Sequence, residues 1–192
     1  MIVTGYDAAG KVTISNNEFD GTTSWSATCN GDHYWTMLFL GSADYITLAN
    51  NYVHNCSGRA PKVGGAGYVI MHAVNNFFYD NLGHDFDVAD GGNVLIEGNY
   101  FDLVTTPITT ASATDGGTIF NVPSSSDTST CTTYLGRACL QNALLDSGSF
   151  PSFTSTYMMG AIEELYSGNG PTAISSYDVP DSVIANAGIG KL

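Results

Sequence analysis

The chain has 192 residues, a length that favours one domain. Its 18 Asp and Glu residues outnumber the five Lys and Arg, giving a formal net charge of −13 at pH 7. Binding to phosphate needs clustered cations, so we expect neither a nucleic-acid partner nor attachment to an anionic membrane. The sequence also lacks a run of about 18 apolar residues, so no transmembrane helix is expected.

Four stretches of the sequence are nearly the same. Each consists of a short apolar strand, an Asn-Asn or Gly-Asn corner, and two mostly apolar or aromatic residues. They span residues 12–19, 46–53, 71–78 and 94–101, so their starts lie 34, 25 and 23 residues apart. A repeat of about 20–50 residues is typical of solenoids, propellers and arrays.

The repeats have strand periodicity, which argues against helical repeats, and they lack the leucine density of leucine-rich repeats. The corner asparagines favour a parallel β-helix over a small propeller, because stacked coils would align them about 4.8 Å apart, with each amide bonding its neighbours. We also expect these asparagines to take the left-handed backbone of a sharp corner. The column consists of Asn17, Asn51, Asn76 and Asn99. The aromatic residues expected to stack similarly are Phe19, Tyr52, Phe77, Phe78, Tyr100 and Phe101.

We therefore predict one all-β domain over residues 1–192. Its coils would occupy residues 1–103, interrupted by insertions at 20–44 and 54–68. The N-terminus shows neither the polar cap that a solenoid end requires nor a signal peptide. We therefore expect it to be a truncation point.

The remaining residues, 104–192, are expected to form a loop and a tail. Residues 104–133 are rich in Thr and Ser, which predicts an irregular segment. The tail that follows would carry short helices near 138–145 and 157–166. It is expected to cover the end of the solenoid.

Four cysteines indicate an oxidising compartment. Cys131 and Cys139 lie close together in a Ser/Thr-rich segment, which favours a disulfide and a secreted, extracellular protein. Further ligands at zinc spacing are missing, so no metal site is expected there. Cys29 and Cys56 either pair with each other, or the partner of Cys29 lies outside this sequence.

The segment Arg59-Ala60-Pro61-Lys62 places two of the five cations three residues apart in a loop. Pro61 stiffens the loop and favours an extended Ala60. Two cations on a stiff loop suit an anionic or carbonyl-rich ligand. The alternative is a solvated charged turn.

The segment His33-Tyr34-Trp35, preceded by Trp25, is the main aromatic feature of the first insertion. Aromatic faces beside polar groups are typical of sugar-binding clefts. The alternative is that Trp35 packs in the core or on a neighbouring coil.

The acidic segment Asp85–Asp90 resembles a calcium loop, but its spacing differs from that of an EF-hand by one residue and the final Glu is missing. We interpret it as an acidic turn. His54 and His72 are interpreted as ladder or corner residues. Asn55-Cys56-Ser57 is a glycosylation sequon, so Asn55 is a candidate glycan site.

With these strands and motifs, the sequence resembles the fungal pectin lyases, which are secreted polysaccharide lyases with a right-handed parallel β-helix fold. The resemblance covers about the C-terminal half of the family's length. The matching segments are 26–29, 33–35, 57–63, 72–76, 97–99, 133–137 and 185–188.

The resemblance implies cleavage of methyl-esterified polygalacturonate by β-elimination, without a cofactor and by a monomer. A proton leaves C5, α to the ester carbonyl, and the bond to O4 breaks. Arg59 resembles the family's catalytic arginine, proposed to take this proton, although a guanidinium resists deprotonation. Lys62 would add positive charge, His33, Tyr34 and Trp35 would contact the sugar, and the Cys131–Cys139 disulfide resembles one of the family.

The resemblance also implies that some family residues lie upstream of Met1. These are an active-site Asp in a Trp-x-Asp-His segment, a second cleft arginine and the cysteine that would bond Cys29. Two alternatives therefore stay open, a non-catalytic pectin-binding β-helix and a calcium-dependent pectate lyase using Asp85–Asp90. A hydrolase is a weaker alternative, because it needs paired aspartates for acid and base.

Overall fold

The computed structural model describes residues 1–166 and 170–191. Within these ranges, fifteen strands form three five-stranded sheets. Sheet 1 consists of β1 (Ile2–Val3), β4 (Met37–Phe39), β7 (Lys62–Val63), β10 (His84–Val88) and β13 (Thr106–Ile108). Sheet 2 consists of β2 (Gly10–Ser15), β5 (Asp44–Ala49), β8 (Val69–Val74), β11 (Gly92–Glu97) and β14 (Thr118–Phe120). Sheet 3 consists of β3 (Glu18–Asp20), β6 (Tyr52–His54), β9 (Phe77–Tyr79), β12 (Tyr100–Asp102) and β15 (Ala143–Leu145).

The chain passes through sheets 1, 2 and 3 in turn, five times. Each strand pairs in parallel with the strand one coil away, so one row of sheet 2 runs through Val12, Ile46, Met71, Val94 and Ile119. The middle three of these side chains have no exposed surface and form part of one continuous core. The predicted right-handed parallel β-helix is confirmed.

Aromatic rings stack from coil to coil, as predicted. Phe78 and Phe101 lie parallel inside the core, with ring centroids 4.8 Å apart. Tyr52 and Phe77 stack on sheet 3 with centroids 5.3 Å apart. Such pairs add about 0.5–1.5 kcal/mol beyond the area that they bury.

The predicted asparagine ladder lies at the corner between sheets 2 and 3. Nδ2 of Asn51 donates to Oδ1 of Asn76 at 2.9 Å, and Nδ2 of Asn76 donates to Oδ1 of Asn99 at 3.0 Å. Asn17 begins the ladder, and Asn142, which the sequence analysis did not include, continues it.

The left-handed backbone at this corner belongs to the residue before each ladder asparagine. Positive φ angles of 57°, 55°, 53° and 60° occur at Asn16, Asn50, Asn75 and Gly98. The prediction placed this conformation on the ladder residues and is wrong in that respect. The corner thus needs two residues, because one makes the turn and the next makes the side-chain hydrogen bonds.

The coils continue past residue 103, so the prediction of an irregular segment at 104–133 misses β13 and β14. A fifth coil is closed by β15, and the helix predicted near 138–145 is wrong. Asn142 occupies the ladder position, which holds the next three residues in register with β12. This coil was not recognised in the sequence, because residues 121–142 separate β14 from β15.

Three α-helices are present in the described residues, α1 (Thr132–Leu135), α2 (Met159–Tyr166) and α3 (Val179–Asn186). Helix α2 confirms the helix predicted near 157–166, whereas α3 was not predicted. Helix α2 packs against β8 and α3 against β9, so both cover the outer faces of sheets. Phe150 and Phe153 pack against the core beyond the fourth coil, as expected for an end cover. None of these helices is long and apolar enough to cross a membrane.

A buried polar network joins the tail to sheet 2. Glu97 has no exposed surface, accepts two hydrogen bonds from Arg137 at 2.7 and 3.0 Å, and lies 2.8 Å from Nε2 of His72. The other nitrogen of His72 is 2.9 Å from the hydroxyl of Tyr166 in α2. Burial raises the pKa of Glu97, but hydrogen bonds from His72 and Arg137 outweigh it and lower the pKa to about 2.

Replacing an interior ladder residue should destabilise the whole solenoid. Asn76→Ala removes hydrogen bonds to Asn51, Asn99 and the carbonyl of Leu48 at a fully buried position. We expect the free energy of unfolding in urea to fall by about 3–5 kcal/mol. The control Asn17→Ala removes the exposed first rung, with an expected loss of about 1 kcal/mol. Equal losses in the two variants would contradict a cooperative ladder.

Removing Arg137 should leave the buried carboxylate of Glu97 without its cationic partner. We expect Arg137→Met to lower the free energy of unfolding at pH 7 by about 3 kcal/mol. Because the pKa of Glu97 is lowered from 4.5 to about 2, this stability is present above pH 4.5 and is lost as the pH falls toward 2.

The control for Arg137→Met is Lys11→Met, because Lys11 is an exposed cation whose ammonium donates to two backbone carbonyls of α2. A loss of under about 1 kcal/mol is expected for this control. Urea unfolding from pH 2 to 7 measures both variants. If Glu97→Gln kept the same acid-dependent loss as the wild type, another group would be responsible.

Candidate functional site

The predicted cationic loop lies where β7 begins on sheet 1. Arg59 has a left-handed backbone with φ of 50°, and Ala60, which is fully buried, precedes Pro61 in a cis peptide bond. Lys62 is the first residue of β7 rather than part of the loop. A non-glycine residue with positive φ is a form of backbone strain that is frequent at functional sites.

The side chains of Arg59, Lys62 and His84 converge on one carboxylate oxygen, Oδ2 of Asp87. Asp87 in β10 is the register partner of Lys62 in β7, so their side chains meet one coil apart. Nζ of Lys62 donates to Oδ2 at 3.0 Å, while Nε of Arg59 is 3.8 Å and Nε2 of His84 is 4.0 Å from the same oxygen. We call these four residues the Asp87 cluster.

Aromatic side chains flank the Asp87 cluster. The guanidinium carbon of Arg59 lies over the Tyr34 ring, 5.5 Å from its centroid, which suits a cation–π contact. Trp35 and His84 both meet Tyr34 edge to face, with centroid distances of 5.4 and 5.7 Å. Gly58 permits this approach, because a Cβ there would lie only 2.7 Å from the Tyr34 ring.

The structure thus brings together four of the five residues predicted to act on or bind the substrate: Arg59, Lys62, Tyr34 and Trp35. Trp35 is 46% exposed, which argues against the alternative that it is a core residue. His33 lies beside Tyr34 in sequence, but its backbone bonds to Gly21 and Ser57 hold the aromatic insertion against the next coil. Trp25 is 89% exposed elsewhere in this insertion.

His84 and Asp87 were missed as members of the site. Asp87 lies in the segment Asp85–Asp90, which was interpreted as an acidic turn, and His84 immediately precedes that segment. A usable signal was present, because each lies 25 residues after a predicted site residue, Arg59 and Lys62, and 25 is one of the observed repeat spacings. Residues at equivalent positions of successive coils lie side by side on a sheet, as the pairing of Lys62 with Asp87 shows.

The electrostatic environment of His84 favours its neutral form. Burial lowers the pKa of His84; Asp87 opposes this effect, and Arg59 and Lys62 add to it. His84 is therefore a neutral imidazole at neutral pH. Its Nε2 and the Nε of Arg59 are both buried without a hydrogen-bond partner in the described part of the chain.

Asp85 is fully buried, and its environment differs from that of Asp87. Burial raises its pKa well above the ordinary 3.8, although Asn81 donates a hydrogen bond to Oδ1 at 2.9 Å. Burial thus favours the neutral form of Asp85, whereas Oδ2 of Asp87 accepts a hydrogen bond from Lys62. Across residues 1–166 and 170–191, no group of three or more His, Cys, Asp or Glu side chains is arranged to hold a metal.

A polar groove of about 420 Å³ adjoins the Asp87 cluster. His84 is one wall, and the remaining lining residues are small or hydroxyl-bearing apart from one isoleucine. They are Gly83, Thr105, Thr106, Ile108, Thr109, Thr110 and Ser149. A larger cavity of about 630 Å³ lies around residues 15–20 and 188–190 and shares no residue with the cluster.

The cysteines divide into one pair and two free thiols. Cys131 and Cys139 form the predicted disulfide. Cys29 is exposed and Cys56 is buried, and each is free in the described residues, so the alternative that they pair with each other is wrong. Burial raises the pKa of the Cys56 thiol to about 12, which makes it inert.

The candidate glycan site is already engaged within the fold. Nδ2 of Asn55 donates to Asp20 at 3.1 Å and to Thr22 at 3.2 Å, and it lies 2.9 Å from Nδ1 of His54. A glycan on Nδ2 would displace these contacts. Glycosylation of Asn55 stays a prediction, which the mass of the expressed protein would test.

Comparisons with known proteins find similarity to pectate and pectin lyases. The sequence model of the family described as pectate lyase matches residues 3–192. Probable pectin lyase F-1 of Aspergillus terreus is 46% identical over 195 aligned residues, which cover 100% of this chain and 50% of the relative. Probable pectin lyase F of Aspergillus flavus is 47% identical, with coverage of 100% and 43%. A solved pectate lyase bound to hexasaccharide has 17% identity and a TM-score of 0.49, and the match covers 97% of this chain and 44% of that one.

The fold defines a parallel β-helix protein with an aromatic-flanked cationic cluster on one sheet. By its sequence, the chain belongs to the pectate lyase family, and its resemblance to the fungal pectin lyases is confirmed. It spans 50% and 43% of the length of the two curated relatives described above.

Replacing Asp85 should remove a pH-dependent loss of stability. A carboxyl with a raised pKa in the folded state stabilises the fold fully below pH 3.8, and this stability falls as the pH rises toward the folded-state pKa. We expect the loss to approach about 1.4 kcal/mol per pH unit.

Asp85→Asn keeps the neutral shape, so the variant should be more stable than the wild type at pH 7 and should lack this pH-dependent loss. Urea unfolding between pH 4 and 8 measures it. The exposed Asp115→Asn is the control, and it should follow the wild type at each pH. A wild-type pH profile retained in Asp85→Asn would contradict the assignment.

Proposed function

We propose that this chain carries the β-elimination centre of a pectin lyase acting on methyl-esterified polygalacturonate. The observation that carries the proposal is the convergence of Arg59, Lys62, Tyr34 and Trp35 on one side of sheet 1. The pectin lyase names of relatives aligned over the entire chain support this choice of substrate.

Charge favours the esterified substrate over free polygalacturonate. The net charge of −13 repels a polyanion at long range, whereas a methyl-esterified chain lacks that charge. Within the cluster, Lys62 and Arg59 share the Asp87 carboxylate, which leaves one net positive charge beside the neutral His84. A single excess cation suits an ester carbonyl that becomes an enolate.

The chemistry begins with loss of the C5 proton of a uronate ester. Electrons from the C5–H bond move toward the ester carbonyl, and the resulting enolate carries negative charge on oxygen. The guanidinium of Arg59 and the ammonium of Lys62 would stabilise that oxygen by hydrogen bonds and charge. The enolate then collapses to a C4=C5 double bond, and O4 departs.

Tyr34 and Trp35 would serve binding rather than proton transfer. The Tyr34 ring fixes the guanidinium of Arg59 from below, and the half-exposed face of Trp35 is available to a sugar ring. The hydroxyl-lined groove beside His84 would receive a neighbouring uronate residue. We further propose that the protein acts outside the cell as a monomer, and the Cys131–Cys139 disulfide supports an oxidising compartment.

Ultraviolet absorbance of highly methylated pectin, incubated with the 192-residue chain and a chelator, tests this proposal. We expect absorbance to rise as unsaturated uronates form, and Arg59→Ala to reduce the rate about 10²–10³-fold. The control is Lys191→Met, which removes an exposed cation whose ammonium donates to the carbonyl of Ile184, and it should leave the rate unchanged.

Two other outcomes would overturn the assignment. Product from de-esterified substrate that disappears with chelator would identify a calcium-dependent pectate lyase. A folded chain that binds pectin but releases no unsaturated product would be a non-catalytic binding β-helix.

A further inference from the structure

The Asp87 cluster contains one acid, and no step of the proposed elimination uses it. Arg59 and Lys62 would serve the developing enolate, whereas the neighbouring aromatic side chains would serve binding. Asp87 nevertheless accepts a hydrogen bond from the ammonium of Lys62 at 3.0 Å and lies 3.8 Å from Nε of Arg59. A carboxylate beside two cations weakens their attraction for an anionic oxygen, so its presence at this site calls for an explanation.

Asp87 is less exposed than the two cations that it contacts. Its side chain is 12% exposed, compared with 18% for Lys62 and 33% for Arg59. The Nε of Arg59, which faces Oδ2 of Asp87, is buried, so the exposed part of the arginine side chain lies elsewhere. Asp87 is therefore placed to act on a bound sugar through its charge and through the cations that it holds.

The formal charges of the cluster add up to one net positive charge. Two cations, Arg59 and Lys62, lie against the single carboxylate of Asp87. The same three groups are the charges that affect the pKa of His84, and burial favours the neutral form of that imidazole. The substrate therefore meets one uncompensated cation at this point of sheet 1.

The two forms of the substrate differ by one unit of charge when the C5 proton leaves. A methyl ester is neutral and becomes an enolate with one negative charge, whereas a free uronate is an anion and becomes a dianion. One net positive charge neutralises the first enolate but leaves the second with an uncompensated charge in a partly desolvated site. The count also holds if Arg59 takes the C5 proton, because Arg59 is then a guanidinium once the enolate has formed.

We propose that Asp87 is the residue that restricts the site to methyl-esterified uronate; this inference rests on the proposed lyase function. Its carboxylate offsets one of the two cations and so matches the charge of the site to the enolate of an ester. It also holds Lys62 and Arg59 against one oxygen, which fixes where the remaining positive charge lies. Without this carboxylate, two uncompensated cations would suit the dianion formed from free polygalacturonate.

The first test compares two substrates with one variant. Asp87→Asn keeps the size of the side chain and removes its charge. We expect the ratio of kcat/KM on highly methylated pectin to kcat/KM on de-esterified pectin, both with chelator, to fall about tenfold. This is the effect of one unit charge roughly 6 Å from the enolate at an effective dielectric constant of about 40.

The ratio does not depend on the fraction of folded enzyme, so a destabilised variant still gives a result. Asp87→Glu keeps the charge and should keep the wild-type ratio. A ratio in Asp87→Asn equal to that of the wild type would overturn the proposal.

A second substitution should restore the ratio if charge is the cause. Asp87→Asn combined with Lys62→Gln leaves the guanidinium of Arg59 as the cation of the cluster, so the net charge is again one positive charge. We expect this double variant to regain the wild-type ratio at a lower overall rate. A ratio that stayed at the value of Asp87→Asn would contradict the charge argument.

The matched control is Glu163→Gln in α2. It removes one negative charge at an exposed position of the helix and should leave the ratio unchanged. A shift as large as that of Asp87→Asn would assign the selectivity to the net charge of the whole chain and would overturn the role of Asp87.

Binding provides a readout that does not depend on turnover. In titration calorimetry at low salt, hexagalacturonate should bind Asp87→Asn about tenfold more tightly than the wild type. This gain should shrink at about 1 M salt, where charges are strongly screened. The fully methyl-esterified hexamer should bind the two proteins alike. Equal affinities of the two proteins for hexagalacturonate would contradict the proposal.

The inference and the lyase function fail in different ways. Unsaturated product from methylated pectin, with an unchanged substrate ratio in Asp87→Asn, would overturn the role of Asp87 and keep the lyase. A wild-type chain without product would overturn the lyase function, and calorimetry with the two hexamers would still decide whether Asp87 selects against the free carboxylate.

Discussion

Parallel registration of one coil on the next is the constraint on which the rest of the structure depends. The buried amides of Asn51, Asn76 and Asn99 bond only when successive coils are in one register. The same register places Ile46 on Met71 and Phe78 on Phe101 in the core. A slip of one residue would turn each of these side chains to the opposite face of its sheet.

That register also builds the candidate site. Lys62 and Asp87 are 25 residues apart in sequence but adjacent on sheet 1, because their strands belong to successive coils. The strong core thus supports a cluster in which three nitrogen atoms compete for one carboxylate oxygen, two of them without a hydrogen bond. Buried unpaired groups are costly, so such an arrangement persists only on a rigid scaffold.

The coils that could be predicted from the sequence are those that share the regular repeat. The first four coils share an Asn-containing corner, and their strands and ladder followed from it. The fifth coil was missed because Asn142 lies far from β14, and the aligned position became recognisable only in three dimensions. The left-handed residues Asn16, Asn50 and Asn75 were misplaced by one position, since the pattern Asn-Asn does not say which member makes the turn.

The sequence by itself determined the solenoid, the Cys131–Cys139 pair and the residues Arg59, Lys62, Tyr34 and Trp35 as site candidates, because each follows from a local pattern or a motif. The tertiary structure alone decided that Asp85 is fully buried with a raised pKa, while Asp87, two residues away, contacts Lys62 at 3.0 Å. It also decided that His84 faces Asp87 and a groove. Burial and the charge of neighbouring coils set the state of an ionisable group, and neither quantity is present in a linear sequence.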